Sequence, residues 1–180
     1  MAELELANTR IDALVEDALE KCISQIKANS KRAGQVATGK TLKSLEWRLE
    51  RAGNDYVATI LGRKYFGALE TGRGVYQGGK AAIKEFNDAL VEWFKARGIH
   101  SEMNDEQLRL EANRLRWYIN RYGTRLYQRG GRKDIFTPAV EGFIETLQKQ
   151  LAVFFEKQIS DMFTQGFQGF GNSELSVQSQ

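Results

Sequence analysis

Six consecutive residues, Leu45-Glu46-Trp47-Arg48-Leu49-Glu50, switch between apolar and charged at every step, and the charged Arg51 follows. Successive side chains of a strand point to opposite faces, so this pattern fits a strand with one buried and one wet face. Gly53-Asn54-Asp55 follows, a set of residues that tolerates positive φ. After it comes Tyr56-Val57-Ala58-Thr59-Ile60-Leu61-Gly62, rich in β-branched and aromatic side chains. The two runs predict a β-hairpin near residues 45–62. No other strand pair is as clear, so the rest of the chain has to be read against this small sheet.

Most of the remainder has helical period. Over residues 9–28, Ile11, Leu14, Val15, Ala18, Leu19, Cys22, Ile23 and Ile26 recur at three-and-four spacing, and Thr9 with Asp12 offers a capping start. Residues 80–97 carry Ile83, Phe86, Leu90, Trp93 and Phe94 as a second stripe, which reads as core and ends at Gly98. Residues 105–122 carry Leu108, Ala112, Leu115, Ile119 and Tyr122 on one face. A last helix is predicted from Thr137 as cap and Pro138 as first position, where a missing N–H costs nothing. Its stripe runs through Val140, Phe143, Ile144, Leu147, Leu151, Phe154, Phe155, Ile159 and Met162 to about Phe163, and it is expected to pair with the N-terminal helix against the sheet.

The fold class expected is therefore α+β. A small antiparallel sheet packs against long N- and C-terminal helices, with an inserted helical pair at about residues 75–128. Residues 1–165 form one domain, long enough to bury roughly 70% of the surface exposed when unfolded. Residues 166–180 form a flexible tail, whose Phe167 and Phe170, set among glycines, could dock onto a neighbouring subunit. A single proline in 180 residues agrees with long elements over a loop-rich sandwich.

Little in the chain points to an active site. The one cysteine, Cys22, cannot form an internal disulfide and reads as core, and the one histidine, His100, falls in a loop with no second ligand beside it. No cofactor or metal is expected. The N-terminus lacks the basic start and apolar run of a signal peptide, and no apolar run reaches the length of about 20 residues that spans a bilayer. A soluble protein with no membrane partner is expected.

Gly34-Gln35-Val36-Ala37-Thr38-Gly39-Lys40-Thr41 matches the phosphate-loop pattern G-x-x-x-x-G-K-[ST] at every position. A working phosphate loop joins a buried strand to a helix, so that backbone N–H groups and the helix N-terminus meet the phosphates. Here a helix and a polar stretch precede Gly34, and an alternating strand soon follows Thr41. Nucleotide binding is thus a remote alternative, and a structural loop is the expected reading.

Charge is more telling in its distribution than in its total of +3. Residues 109–133 hold eight basic side chains (Arg109, Arg114, Arg116, Arg121, Arg125, Arg129, Arg132 and Lys133) against one acid, Glu111. Arg109 and Arg116 fall along one flank of the predicted helix, and Arg114, Arg121 and Arg125 along the other. A solvated face with aliphatic stems on the core is the bland reading of this ridge. The other is an electropositive surface for phosphates or an acidic partner, which makes a basic nucleic-acid-binding module an alternative function.

Three groups of residues, in this order, resemble the head-to-tail joining or tail-completion (neck) proteins of tailed bacteriophages. The first is Thr38, Gly39, Leu42, Ser44 and Leu45 ahead of the hairpin. The second is Phe66, Leu69, Glu70 and Gly72 after it, and the third is Phe136, Pro138 and Ala139 at the start of the last helix. The resemblance covers about half the chain in two pieces. It implies a structural virion protein and no enzyme, with Gly39, Leu42, Glu70, Gly72 and Pro138 as architectural positions. It also implies a ring of about twelve or about six copies between the DNA-filled head and the tail, assembled in the host cytoplasm, in the manner of closed head-to-tail contacts. Its partners would be other copies of itself and portal, adaptor or tail-tube proteins. The basic residues would face genomic DNA without sequence preference, or a partner.

Overall fold

A computed structural model describes residues 2–52, 55–63, 66–75 and 80–173, with side chains at 2–6, 52, 80–81 and 165–173 left aside. The fold is α+β. Helix α1 (Ala2–Arg32) leads through the one-turn α2 (Lys40–Lys43) into strands β1 (Glu46–Ala52) and β2 (Asp55–Leu61). A one-turn α3 (Ala68–Thr71) precedes the inserted pair α4 (Lys80–Arg97) and α5 (Asp105–Tyr122). The short α6 (Arg125–Gln128) then returns the chain to the long α7 (Thr137–Ser173).

The strands pair antiparallel, Trp47 opposite Ile60 and Leu49 opposite Ala58, so the alternation seen in the sequence turns Trp47, Leu49 and Ile60 to one face. Gly53 and Asn54 of the expected turn lie outside the described residues. Ser44 closes the base of the hairpin. Its hydroxyl donates to the Thr41 carbonyl at 2.8 Å and accepts from the Arg63 N–H at 3.0 Å.

α1 contacts both strands on one side and α7 on the other, so α1 lies between the sheet and the C-terminal helix it was expected to flank. The two long helices run antiparallel. Asn29 donates to the Ile135 carbonyl at 2.8 Å, and Cys22 lies against the Ala139 carbonyl at 3.4 Å. The core here gathers Cys22, Ile23, Ile26, Leu42, Leu45, Ile135 and Ala139, with Trp47, Phe66, Phe136 and Phe143 around it. α1 extends past residue 28 because Asn29 and Ser30, polar and loop-like in the sequence, are buried against the start of α7. It ends where Gly34, at φ 64°, lets the Gly34 and Gln35 N–H groups bond the Lys31 and Ser30 carbonyls, the Schellman arrangement.

The insertion has a core of its own. Leu90 and Phe94 of α4 meet Leu108, Ala112 and Ile119 of α5. Gly98 terminates α4 as expected, and α5 opens on a full capping box between Asn104 and Gln107. Trp93 departs from the expected core stripe, lying part-exposed in a cleft, while Phe86 lies beneath the Arg73 guanidinium. Arg125 stands in α6, beyond the helix it was expected to share with Arg114 and Arg121.

The insertion joins the body at a tight crossing of two strands of chain. Arg73 and Thr124 exchange two hydrogen bonds, Thr124 N–H to the Arg73 carbonyl at 2.8 Å and Arg73 N–H to the Thr124 hydroxyl at 3.0 Å. Gly72 sits beneath at φ 71°, where a Cβ would meet the Tyr127 nitrogen at 2.4 Å and the Thr124 hydroxyl at 2.7 Å. Both the backbone sign and the space require glycine. Gly72→Ala is expected to cost about 3 kcal/mol or more in urea unfolding, against about 1 kcal/mol for Gly34→Ala, which shares the positive φ but faces open space. Equal losses for the two would refute the steric part of this account.

Candidate assembly surfaces

Glu70 organises the junction that supports these surfaces. Although charged, it is only 3% exposed. One carboxylate oxygen accepts from the N–H groups of Ile135, Phe136 and Thr137 at 2.7, 2.8 and 3.1 Å, and the other accepts from the Thr137 hydroxyl at 2.7 Å. These donors surround the start of α7, where backbone N–H groups lack helical partners and the helix dipole favours negative charge. Thr137 was expected to cap this helix with its own side chain. Instead its hydroxyl donates to Glu70, and the cap comes from α3. α7 begins at Thr137, so Pro138 occupies the second position, still within the first turn where its missing N–H is harmless.

Burial pushes the Glu70 carboxyl up, and the hydrogen bonds from the Thr137 hydroxyl and the three backbone N–H groups outweigh it, holding the group below the ordinary glutamate range. The Glu70 carbonyl also accepts from the Arg132 N–H at 2.8 Å. Of the other motif positions, Leu42 is buried in the main core. Gly39 precedes α2 in the left-handed region at φ 71° with open space around it. Residues from all three motif groups therefore meet within one contiguous region.

The basic ridge divides. Arg132 is part of the junction, where its guanidinium pairs with Asp134, one N–O distance being 2.6 Å, and reaches the Ala33 carbonyl. That pairing holds Asp134 below, and Arg132 above, their ordinary values. Lys133 beside it is exposed, as are Arg109, Arg114, Arg121, Arg125 and Arg129, while Arg116 is half-buried along α5. Arg114 pairs with Glu111 at 2.6 Å. Arg121 lies over the rings of Trp117 and Tyr122, at 5.5 and 5.7 Å from their centroids, and donates to the Tyr122 hydroxyl. Trp117 and Leu110 are each 58% exposed on the side of α5 opposite its buried stripe. An open cleft of about 1110 Å³ separates α4 and α5 from α3 and α6, lined in part by Arg63, Arg73, Phe86, Trp93, Tyr118 and Arg125.

The segment matching a phosphate loop has structural employment throughout. Its first glycine, Gly34, terminates α1, and the Gly34 carbonyl accepts from Arg97. Its lysine, Lys40, pairs with Glu92 of α4, and a helix precedes it where a phosphate loop has a strand.

The single apolar stripe read along α7 is two. Phe143, Leu147, Leu151 and Phe154 are half-buried, whereas Val140, Ile144, Phe155, Ile159, Met162 and Phe163 are exposed, Met162 by 71%. The helix also runs ten residues past Phe163, to Ser173, because isolated glycines such as Gly166 and Gly169 weaken a helix by only about 1 kcal/mol each without stopping it. Docking by Phe167 and Phe170 concerns side chains outside the described residues.

Among the described residues, no group of three or more His, Cys, Asp or Glu converges, and no helix is long and apolar enough to cross a membrane. Compared with known protein families, with curated proteins and with solved structures, the chain shows no significant match. Sequence periodicity missed the exposed Leu110 and Trp117. The signal was there in their position at i and i+7, about 180° from the buried stripe.

Glu70→Ala is expected to remove about 2–4 kcal/mol of stability, since it strands several buried donors, and to lower the melting temperature by about 5–15 °C. Because folding lowers the Glu70 pKa, its stabilisation is complete above about pH 5 and is lost as pH falls through the folded value. Glu70→Gln should accordingly be less stable than the parent at pH 7 and lose less stability than the parent on acidification to pH 3. A melting temperature unchanged in Glu70→Ala would refute the capping role.

Proposed function

We propose that this chain is a structural virion protein of the neck or tail of a tailed bacteriophage, forming a ring that joins the DNA-filled head to the tail. One observation carries this reading: residues from all three phage-like motif groups, far apart in sequence, share one core. Glu70 of the turn after the hairpin caps the start of the helix that Phe136 precedes and Pro138 and Ala139 open. Leu42 and Leu45 of the first group and Phe66 and Leu69 of the second pack with Phe136 and Ala139 in that core. Motifs that cooperate structurally belong to one architecture, which strengthens the resemblance over three coincidental short matches. The exposed apolar flank of α7 and the exposed aromatic face of α5 also suit a subunit whose surfaces are covered in an assembly. Basic side chains on α5 and α6 are then available to line a DNA path or meet an acidic neighbour.

A second reading rests on the arginine–aromatic surface. Exposed arginines interleaved with Trp117, Tyr122 and Tyr127 form the sort of platform on which unpaired bases stack, so a nucleic-acid-binding module would use this same face.

Peptide mass spectrometry of purified particles from the source culture separates the two. The ring reading expects this chain at about one or about one-half copy per portal subunit. Absence from particles would overturn it, and binding of the purified chain to single-stranded DNA that weakens steeply with salt would then favour the second reading.

A further inference from the structure

α7 carries two apolar seams where a helix lying against a single neighbour needs one. Phe143, Leu147, Leu151 and Phe154 face α1. About 100° further round lie Ile144, Phe155, Ile159 and Met162, exposed by 47, 48, 54 and 71%. Between residues 148 and 162 the second seam, completed by Gln148 and Ala152, contains no charge. Its border away from α1 carries Glu145, Lys149 and Glu156, a net acidic edge, and Glu141 stands at the N-terminal end of the seam. With Val140 and Phe163 the seam exposes on the order of 600 Å², close to the roughly 800 Å² that each partner buries in a stable interface.

A complementary surface exists elsewhere on the chain. Opposite the buried stripe of α5 stand Leu110, Arg114, Trp117 and Arg121, at i, i+4, i+7 and i+11, a line about 16 Å long in which large apolar and cationic groups alternate. Trp and Arg are the side chains that most often anchor protein interfaces, and Trp117 is already stacked beneath Arg121. Arg114 is exposed although its partner Glu111 is part-buried, so its guanidinium is cheap to exchange onto another carboxylate. One surface is apolar with an acidic border; the other is apolar with a basic one.

We infer that the second seam of α7 in one copy seats the α5 outer face of the next copy, head to tail, with Arg114 and Arg121 against the acidic border. Two different patches of one chain meeting in this way leave each copy with one face still free, which is the contact that generates a ring. The inference deepens the ring reading and rests on it for closure, but the contact itself belongs to the purified chain.

Analytical ultracentrifugation of the full chain tests it. The parent is expected to associate as concentration rises. Trp117→Glu and Ile159→Asp, both at exposed positions, should each weaken association at least tenfold while far-UV circular dichroism stays unchanged, and Arg121→Glu provides a milder variant of the first face. Mixing Trp117→Glu with Ile159→Asp should give a 1:1 complex that grows no further, because each variant keeps one intact face. Arg121→Glu should regain affinity for a partner carrying Glu145→Arg. If Ile159→Asp abolishes association while Trp117→Glu leaves it intact, α7 pairs with α7 and the inference fails. It fails equally if the parent stays monomeric at every concentration, or if Trp117→Glu spares association and removes only salt-sensitive DNA binding. None of these results bears on whether the chain is found in particles, so the two proposals can fall separately.

Discussion

A buried carboxylate at the start of a 37-residue helix is the interaction on which the rest of this fold depends. α7 leaves its first N–H groups without helical partners, and its first turn is packed against buried Asn29 and Ile135, where water cannot serve them. Glu70 supplies the missing acceptors from a one-turn helix 65 residues earlier in the chain. The same residue's carbonyl takes the Arg132 N–H, so a single position fixes the direction of α7, the return of the chain from the insertion and, through Arg132 and Asp134, the end of α1. A neutral side chain of the same length could fill the space, but it would not match a positive dipole end with several converging donors.

The parts of the fold legible in the sequence are those written in local pattern. Alternation at residues 45–50 specified the strand and its inward face, since period two leaves no other arrangement. Gly98 marked the end of α4 because only a left-handed residue closes a helix in that manner. What stayed hidden was tertiary. The carboxylate of Glu70 looked like one more exposed acid, because nothing in its neighbours announces donors arriving from residues 135–137. Thr137 looked like a cap by residue type, yet its hydroxyl had a better acceptor within reach. Asn29 looked like loop for the same reason: polarity predicts exposure except where a neighbouring backbone satisfies the polar atoms, here the Ile135 carbonyl.

The surfaces proposed for assembly were legible by half. The apolar stripe along α7 was identified without Val153, which is 65% exposed, but periodicity alone cannot say how many neighbours a wide apolar arc serves. Only packing against α1 separates Phe143 and Phe154 from Phe155 and Ile159. In the insertion, counting arginines located the charge correctly, while the structure assigned those charges to distinct settings. Arg132 is spent on the junction, and Arg121 is stacked on aromatics. A phosphate-loop match at every letter dissolved into a helix terminator and an ion pair, which shows how little a short pattern means without the strand that gives it chemistry.

The hydrogen-bonded crossing of Arg73 and Thr124 bears on the order in which the molecule folds. Those residues are 51 positions apart, and the helices that flank the gap on either side belong to one body. Closing so long a loop in an unstructured chain is entropically slow. α4 and α5, however, are neighbours in sequence with their own core and well-formed ends, so they can form early and bring positions 73 and 124 together before the body needs them. The insertion thereby acts as an internal template, converting a distant meeting of α3 and α7 into a nearly local one.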